Sequence, residues 1–260
     1  MSNSPLVAYT RLSPNNSGKR QVKIDRITPH CVVGQCSVET LGNVFAPTSR
    51  RASCNYGIGS DGRVGMYCPE DTISWCSSSY ANDCRAVTIE CASDMTDPYW
   101  MNNAVYTTLI NLCVDICKRN GKTKLLWFGD KVKTINYTPA ANEMVLSVHR
   151  WFAQKSCPGD WLYNRLGKVA TEVTKQLNGA SASDTQEETT GGNIEMVCTY
   201  TKEGDSTVYY FDGQKVHPLK HKDELRVLRT VYKDNNGKDL PHYDWKKKAP
   251  WWIRLEGACR

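Results

Sequence analysis

The chain has 260 residues, of which 40% are hydrophobic and 23% charged, the composition of an ordinary globular protein, so global disorder is excluded. Its 33 basic and 27 acidic residues give a formal net charge of +6. This mild surplus favours any anionic partner, but no concentrated basic stripe accompanies it, and nucleic acid is not the expected partner. The run Lys246-Lys247-Lys248 is interpreted as a solvated turn.

No apolar stretch approaches the length that spans a bilayer, and the opening MSNSPLVAYTRLSP lacks the apolar core of a secretory signal. We therefore expect a protein made in the cytoplasm, without membrane insertion. The twelve cysteines are interpreted mainly as small buried side chains, because a cytosolic chain of this size can build a core without disulfides. A disulfide-stabilised secreted protein is the alternative, and it would show few free thiols under denaturing conditions.

Strand-like and helix-like segments alternate in residues 1–177, which predicts an α/β domain. In chain order they are the strand QVKIDRIT, the hairpin NYGIGSDGRVGMYCPE, the strand AVTIECA, a helix over 104–119, strands near KLLWF and EMVLSVH, and a last helix lined by Leu162, Leu166, Val169, Val173 and Leu177. Asn120-Gly121 is predicted to end the first of these helices. His30 and His149 are then both expected at strand ends, where a sheet holds side chains rigidly toward one cleft.

Residues 178–193, NGASASDTQEETTGGN, contain no large apolar residue and predict a flexible linker. The segments after it, MVCTYTKEG, TVYYFDGQKVHPL and WWIRLEG, are predicted as short strands around the helical KDELRVLRTVYKDN. Residues 194–260 would thus form a small α+β or β-rich module. The aromatic and cationic end, DWKKKAPWWIRLEG, is typical either of a sugar-stacking surface or of the core of this module.

The segment HRWFAQKSCPGDW sets His149 and Cys157 eight residues apart, with Lys155 two residues before the cysteine. A catalytic zinc ion needs three protein ligands from His, Cys and carboxylate, plus an open position for water. His30, His149 and Cys157 are a candidate set. The spacing alone is weak, because a histidine and a cysteine eight residues apart also occur by chance in structural positions.

Four segments in the same order resemble the zinc-dependent N-acetylmuramoyl-L-alanine amidases, a family that includes phage endolysins and peptidoglycan recognition proteins. They are ITPH, ASCNYGIGSDGRV, NDCRAVTIE and HRWFAQKSCPGDW. The resemblance covers about residues 20–177. It implies a mixed central β-sheet flanked by helices, Zn²⁺ as cofactor and bacterial peptidoglycan as partner. The oligomeric state is left open.

Carried over residue by residue, the resemblance makes His30, His149 and Cys157 the zinc ligands. It makes Glu90 the general base and Lys155 the group that stabilises the oxyanion. It also implies substrate contacts for three further residues, Asn55, Tyr56 and Trp75, although for Trp75 a place in the core is an equally good account.

The chain departs from the family pattern at two positions. Phage relatives carry a tyrosine where this chain has Cys54, which puts more weight on Glu90, and a family histidine is replaced in SWCSS by Cys76.

Because Cys157 is present, a catalytic protein is favoured over a non-catalytic peptidoglycan-recognition module with structural zinc. The layout implies a phage or prophage endolysin that acts on a Gram-positive host and reaches the cell wall through a holin pore. Residues 194–260 are then assigned to wall binding. A cytoplasmic amidase that recycles soluble muropeptides is the further alternative.

Overall fold

The computed structural model describes residues 2–179, 197–212, 215–236, 239–245 and 251–258. The chain divides into two compact units, Met1–Thr185 and Gln186–Arg260. The predicted linker, 178–193, lies outside the described residues from residue 180 onward. Across the ranges given, no helix has both the length and the apolar character needed to cross a membrane.

A seven-stranded mixed sheet forms the centre of the first unit, in the order β1-β5-β4-β7-β3-β9-β8. Its strands, with the separate pair β2 and β6, are β1 Val7–Thr10, β2 Asn16–Lys19, β3 Arg26–Cys31, β4 Tyr56–Ile58, β5 Val64–Met66, β6 Thr72–Ser74, β7 Ala86–Cys91, β8 Lys124–Leu126 and β9 Glu143–Leu146. Within the seven-stranded sheet, β4 and β5 pair antiparallel and the other neighbours pair parallel. The predicted hairpin is therefore confirmed.

Helices lie against this sheet, which confirms the predicted α/β class. They are α1 Val38–Phe45, α2 Tyr80–Asp83, α3 Asn103–Arg119, α4 Lys131–Asn136, α5 Asp160–Tyr163 and α6 Leu166–Leu177. Helix α3 ends as predicted, at Asn120 and a left-handed Gly121 with φ of 66°. The single last helix predicted from the sequence is two helices, α5 and α6, with Asn164 and Arg165 between them.

The central strands β3 and β7 are buried along nearly their whole length. Their larger apolar residues share one face and pack in the core, whereas the opposite face carries buried polar side chains, among them Thr28, His30 and Thr88. Cys113 and Cys117 of α3 are fully buried, in agreement with the interpretation of most cysteines as small buried side chains. Eleven cysteines lie in the described ranges, and all of them are free thiols.

The second unit has a four-stranded sheet in the order β12-β11-β10-β13, which confirms the predicted β-rich module. Its elements are β10 Cys198–Lys202, β11 Tyr209–Phe211, β12 Val216–Pro218, α7 Lys222–Asn236, β13 His242–Trp245 and α8 Trp251–Ala258. The prediction of a strand for WWIRLEG is wrong, because this segment is helix α8. Trp252 and Leu255, three residues apart on one helical face, pack on the cluster of buried Cys198, Tyr200 and Phe211.

Candidate metal centre

The candidate site lies where the parallel strands β3, β7 and β9 end. His30 is the register partner of Glu90 on the neighbouring strand, and both lie at the carboxyl end of the sheet. On the other side of β3, Ile27 pairs with Leu146 at the end of β9. The chain that leaves β9 therefore reaches His149 at the same edge, the edge at which ligands bind in open α/β sheets.

The loop after β9 brings Cys157 back to this edge. His149 lies in a 3₁₀ turn, His149–Trp151, and not at the strand end expected from the sequence. The Arg150 N–H donates to the Cys157 carbonyl at 3.0 Å, which closes the loop. Gly159 then starts α5 with φ of 82°, in the left-handed region, and a Cβ there would meet the Cβ of Tyr99 at 2.7 Å.

His30, His149 and Cys157 form a compact donor cluster. One ligand atom of each lies within 4.8 Å of the others. The shortest contact joins Cys157 Sγ and His30 Nδ1 at 3.3 Å, and the two imidazole rings meet edge to face with centroids 5.1 Å apart. His149 Nε2 hydrogen-bonds the Ser78 hydroxyl at 2.9 Å, which leaves its Nδ1 as the nitrogen available to a ligand. These three residues can therefore hold a metal ion.

The protonation states of the cluster suit that role. Burial, with the neighbouring His149, lowers the pKa of His30 to about 3. Burial and the Lys155 ammonium also lower the pKa of His149, so both rings are neutral at neutral pH. Burial raises the pKa of the Cys157 thiol, which would lose its proton when it binds a metal.

Glu90 points its carboxyl group into the same cluster. Its Oε2 is buried and has no hydrogen-bond partner, while Oε1 contacts the Cys76 sulfur at 3.8 Å. Burial raises the pKa of Glu90 to about 8, against the opposing effects of Cys76 and the Arg50 guanidinium. A carboxyl group in this state is suited to exchanging a proton near neutral pH.

An open cleft runs over the cluster as two neighbouring cavities of about 570 and 590 Å³. Both are lined by Phe45, Arg50, Glu90, His149 and Lys155. His30 and Cys157 line the larger cavity, and Trp75 and Cys76 the smaller. The donor cluster thus lies where the two cavities meet, with solvent access from both.

A family model for N-acetylmuramoyl-L-alanine amidase matches residues 20–160, more than half of the chain. The chain belongs to the N-acetylmuramoyl-L-alanine amidase family. The matched segment contains His30, Glu90, His149, Lys155 and Cys157, so the donor cluster lies entirely within the amidase match.

Several solved structures are similar to this amidase-family chain. A selenomethionine derivative of AmpD is 19% identical and covers 64% of this chain and 98% of its own, with a TM-score of 0.44. The Ph2119 endolysin from the Thermus scotoductus MAT2119 bacteriophage is 17% identical, covering 63% and 92%, with a TM-score of 0.40. The lys170 CBD is 34% identical, covering 25% and 91%, with a TM-score of 0.22. None of the curated proteins matches the chain.

Of the three substrate contacts expected from the sequence, Trp75 alone lies in the cleft. Its side chain is 39% exposed and its indole N–H donates to the Ser17 hydroxyl. The expectation for Asn55 and Tyr56 is corrected, because both are completely buried. The Asn55 amide bonds the backbone around it, and the Tyr56 hydroxyl donates to the buried Glu70 carboxylate at 2.8 Å. Neither side chain offers surface to a substrate.

Three residues of the site were not predicted from the sequence. Arg50 lines both cavities, and Ser78, with φ of 62°, contacts His149. The Asp83 carboxylate accepts from the backbone N–H groups of Cys76 and Ser77, which fixes the loop that carries Ser78. Asp83 lies within NDCRAVTIE. A carboxylate just before an apolar strand was the sequence signal that could have indicated its role in holding this loop.

Proposed function

We propose that the protein is a zinc-dependent peptidoglycan hydrolase that cleaves the amide bond between the lactyl group of N-acetylmuramic acid and L-alanine. The single observation that carries the proposal is the convergence of His30, His149 and Cys157 beside Glu90 in an open cleft. Family membership supplies the reaction class, and the cluster supplies the residues for it.

The donor set fits zinc in chemistry and spacing. Two imidazoles and a thiolate are zinc ligands, and three protein ligands with open access are typical of a catalytic site. The 3.3 Å between Cys157 Sγ and His30 Nδ1 is close to the separation of two ligands bonded to one ion at about 2.3 and 2.1 Å. When bound there, zinc supplies Lewis-acid activation of the amide carbonyl and of water.

Glu90 and Lys155 complete the proposed chemistry. The Glu90 carboxylate takes a proton from the attacking water and returns it to the nitrogen of the departing L-alanine. Arg50, which lines the same cavities, favours the ionised form of this carboxyl group. The exposed Lys155 ammonium donates to the carbonyl oxygen as negative charge develops on it.

The cavities on the two sides of the cluster support a polymeric substrate. Each has room for one of the groups joined by the scissile amide, the glycan with its lactyl group or the stem peptide. Trp75 offers an apolar wall in the smaller cavity, beside Glu90 and Lys155. We therefore assign Trp75 to substrate binding.

Metal removal tests this proposal directly. Incubation with a chelator is expected to abolish the release of L-alanine amino groups from purified cell walls, and added zinc is expected to restore it. A chelated sample whose folding is checked by circular dichroism separates loss of metal from loss of structure. Full activity in folded, zinc-free protein would refute the assignment of zinc.

The contact between His149 and Ser78 gives a second test. Ser78→Ala removes the hydroxyl that bonds His149 Nε2 and orients the ring. Loss of such an outer partner typically weakens metal binding by about 10–100-fold. Zinc affinity measured against a chromophoric chelator should fall by this amount, whereas Tyr80→Phe, which removes an exposed hydroxyl beside the same loop, is the control. Equal affinities of the two variants would argue against ligation by His149.

The second unit is proposed to bind the cell wall, in a layout of catalytic domain 1–177, linker 178–193 and module 194–260. This layout suits a phage or prophage endolysin that a holin pore releases to the wall of a Gram-positive host. Trp245 and Trp252 pack on the core of the module, while Tyr243 is 47% exposed and stacks on Trp245. Tyr243 is therefore the candidate for stacking on sugars.

Sedimentation with purified walls tests the binding role. To prevent digestion, the full chain carries Glu90→Gln, and a second protein also carries Tyr243→Ala. We expect the first protein to pellet with the walls and the second to pellet several-fold less. Equal pelleting would remove Tyr243 from the binding surface.

A further inference from the structure

A second group of metal-binding donors lies next to the first. One ligand atom from each of His30, Cys76 and Glu90 lies within 4.8 Å of the others. The group shares His30 with the His30–His149–Cys157 set but adds a different sulfur and a carboxylate. Nitrogen, thiolate and carboxylate donors in this number are those that zinc and other thiophilic divalent ions take.

Unsatisfied polar atoms in this group point independently to a ligand. His30 is 1% exposed, and its Nε2, the ring nitrogen not in contact with Cys157, is buried without a hydrogen-bond partner. Glu90 Oε2 is likewise buried and unpaired. Buried polar atoms are satisfied in most proteins, so two of them in one donor group indicate that something outside the chain binds there.

The third donor is held in place and is reachable from solvent. Cys76 follows β6, and its backbone N–H donates to Asp83 at 3.1 Å, while its sulfur lies 3.8 Å from Glu90 Oε1. Cys76 and Glu90 both line the cavity of about 570 Å³. An ion can therefore reach these donors from the Trp75 side of the cleft, where His149 is the one member of the first donor set that lines the cavity.

We propose that His30, Cys76 and Glu90 form a second binding site for a thiophilic divalent cation such as Zn²⁺ or Cd²⁺. On binding, the Cys76 thiol and the Glu90 carboxyl group release to solvent any protons they carry, and His30 also releases its ring N–H proton when the first set already holds an ion through Nδ1. Because both sets use His30 and this one also takes Glu90, occupancy of the second site inhibits the enzyme. The inhibition rests on the proposed amidase mechanism, but the binding does not.

Cadmium binding measures the second site apart from catalysis. Cys157→Ala weakens the first set, and the protein should still bind Cd²⁺, with the ultraviolet charge-transfer absorption of a cadmium–thiolate bond. Cys157→Ala/Cys76→Ala should lose that band and bind Cd²⁺ more than about 10-fold more weakly. The matched control is Cys157→Ala/Cys36→Ala, since Cys36 is half-buried near the cleft but belongs to neither set; it should behave like Cys157→Ala.

Cys157→Ala/Glu90→Gln keeps the proposal testable if the double cysteine variant does not fold. Removal of the carboxylate should also weaken Cd²⁺ binding more than about 10-fold. The proposal is overturned if Cys157→Ala shows no cadmium–thiolate band, or if the folded Cys76 or Glu90 double variants bind Cd²⁺ as tightly as Cys157→Ala does.

Inhibition by excess metal is measured separately. With the first site loaded, added Zn²⁺ or Cd²⁺ should reduce the activity of the unsubstituted protein. The concentration of added metal that halves a protein's own uninhibited activity should be more than about 10-fold higher for Cys76→Ser than for the unsubstituted protein. If Cd²⁺ binds but the inhibitory concentration is the same in Cys76→Ser, the second site exists and its inhibitory role is refuted. If the unsubstituted protein has no amidase activity, the proposed function is refuted and the evidence for Cd²⁺ binding is unaffected.

Discussion

Replacement of Glu90 by glutamine is expected to lower kcat by about 10²–10⁴-fold, the usual contribution of a general acid–base group. Glutamine keeps the size of the side chain but cannot take the proton of the attacking water. Glu90 does not belong to the His30–His149–Cys157 set, so the variant should keep its zinc. Initial rates on purified walls, together with zinc content by atomic absorption, measure both effects.

Asp94→Asn is the matched control for this loss. Asp94 lies three residues beyond the end of β7, bonds Gln35 at 3.0 Å and lines neither cavity of the cleft. Its replacement should leave kcat unchanged. Should Glu90→Gln retain near-normal kcat with zinc bound, Glu90 is not the base and another group in the cleft must take the proton.

Replacement of Cys157 by alanine should eliminate wall-degrading activity. It removes the thiolate that contacts His30 Nδ1 and leaves two neutral imidazoles, whereas a catalytic zinc site needs three ligands. Loss of a direct ligand should weaken zinc binding by more than the roughly 100-fold upper range seen when an outer partner is removed. Zinc affinity and activity are measured on the same preparation.

Cys36→Ala controls for the loss of a thiol near the cleft. Cys36 is half-buried and lines the same cavity as Cys157, but it belongs to neither donor set. We expect Cys36→Ala to bind zinc and to degrade walls like the unsubstituted protein. Activity that survives in Cys157→Ala would refute the assignment of the metal ligands.

The sheet edge that holds the site was predictable because it follows from local pattern. An apolar strand that ends in His30 and another that ends near Glu90 predict side chains at the carboxyl ends of the sheet. The family resemblance joined them to His149, Lys155 and Cys157. What sequence alone missed is how the loop after β9 folds back: His149 lies in a 3₁₀ turn, and the backbone N–H of Arg150 donates to the Cys157 carbonyl.

Burial and loop geometry were less accessible to sequence reasoning. Asn55 and Tyr56 precede an Asp-Gly turn and look like a surface hairpin, yet β4 lies between β5 and β7 inside the sheet, so both side chains are enclosed. Ser78 reaches His149 because its own backbone is left-handed, with φ of 62°. The Asp83 carboxylate stabilises this loop by accepting a hydrogen bond from the Ser77 N–H. The aromatic pair in WWIRLEG suggested a strand, but packing on the module's core selects a helix.

Mass spectrometry of digested cell walls shows which bond the protein cuts, because the new chain ends identify that bond. For an N-acetylmuramoyl-L-alanine amidase, we expect stem peptides with a free L-alanine amino terminus and glycan strands whose lactyl carboxyl groups are free. Both products should disappear in Cys157→Ala. New reducing sugar ends, or stem peptides cut at an internal peptide bond, would contradict this expectation.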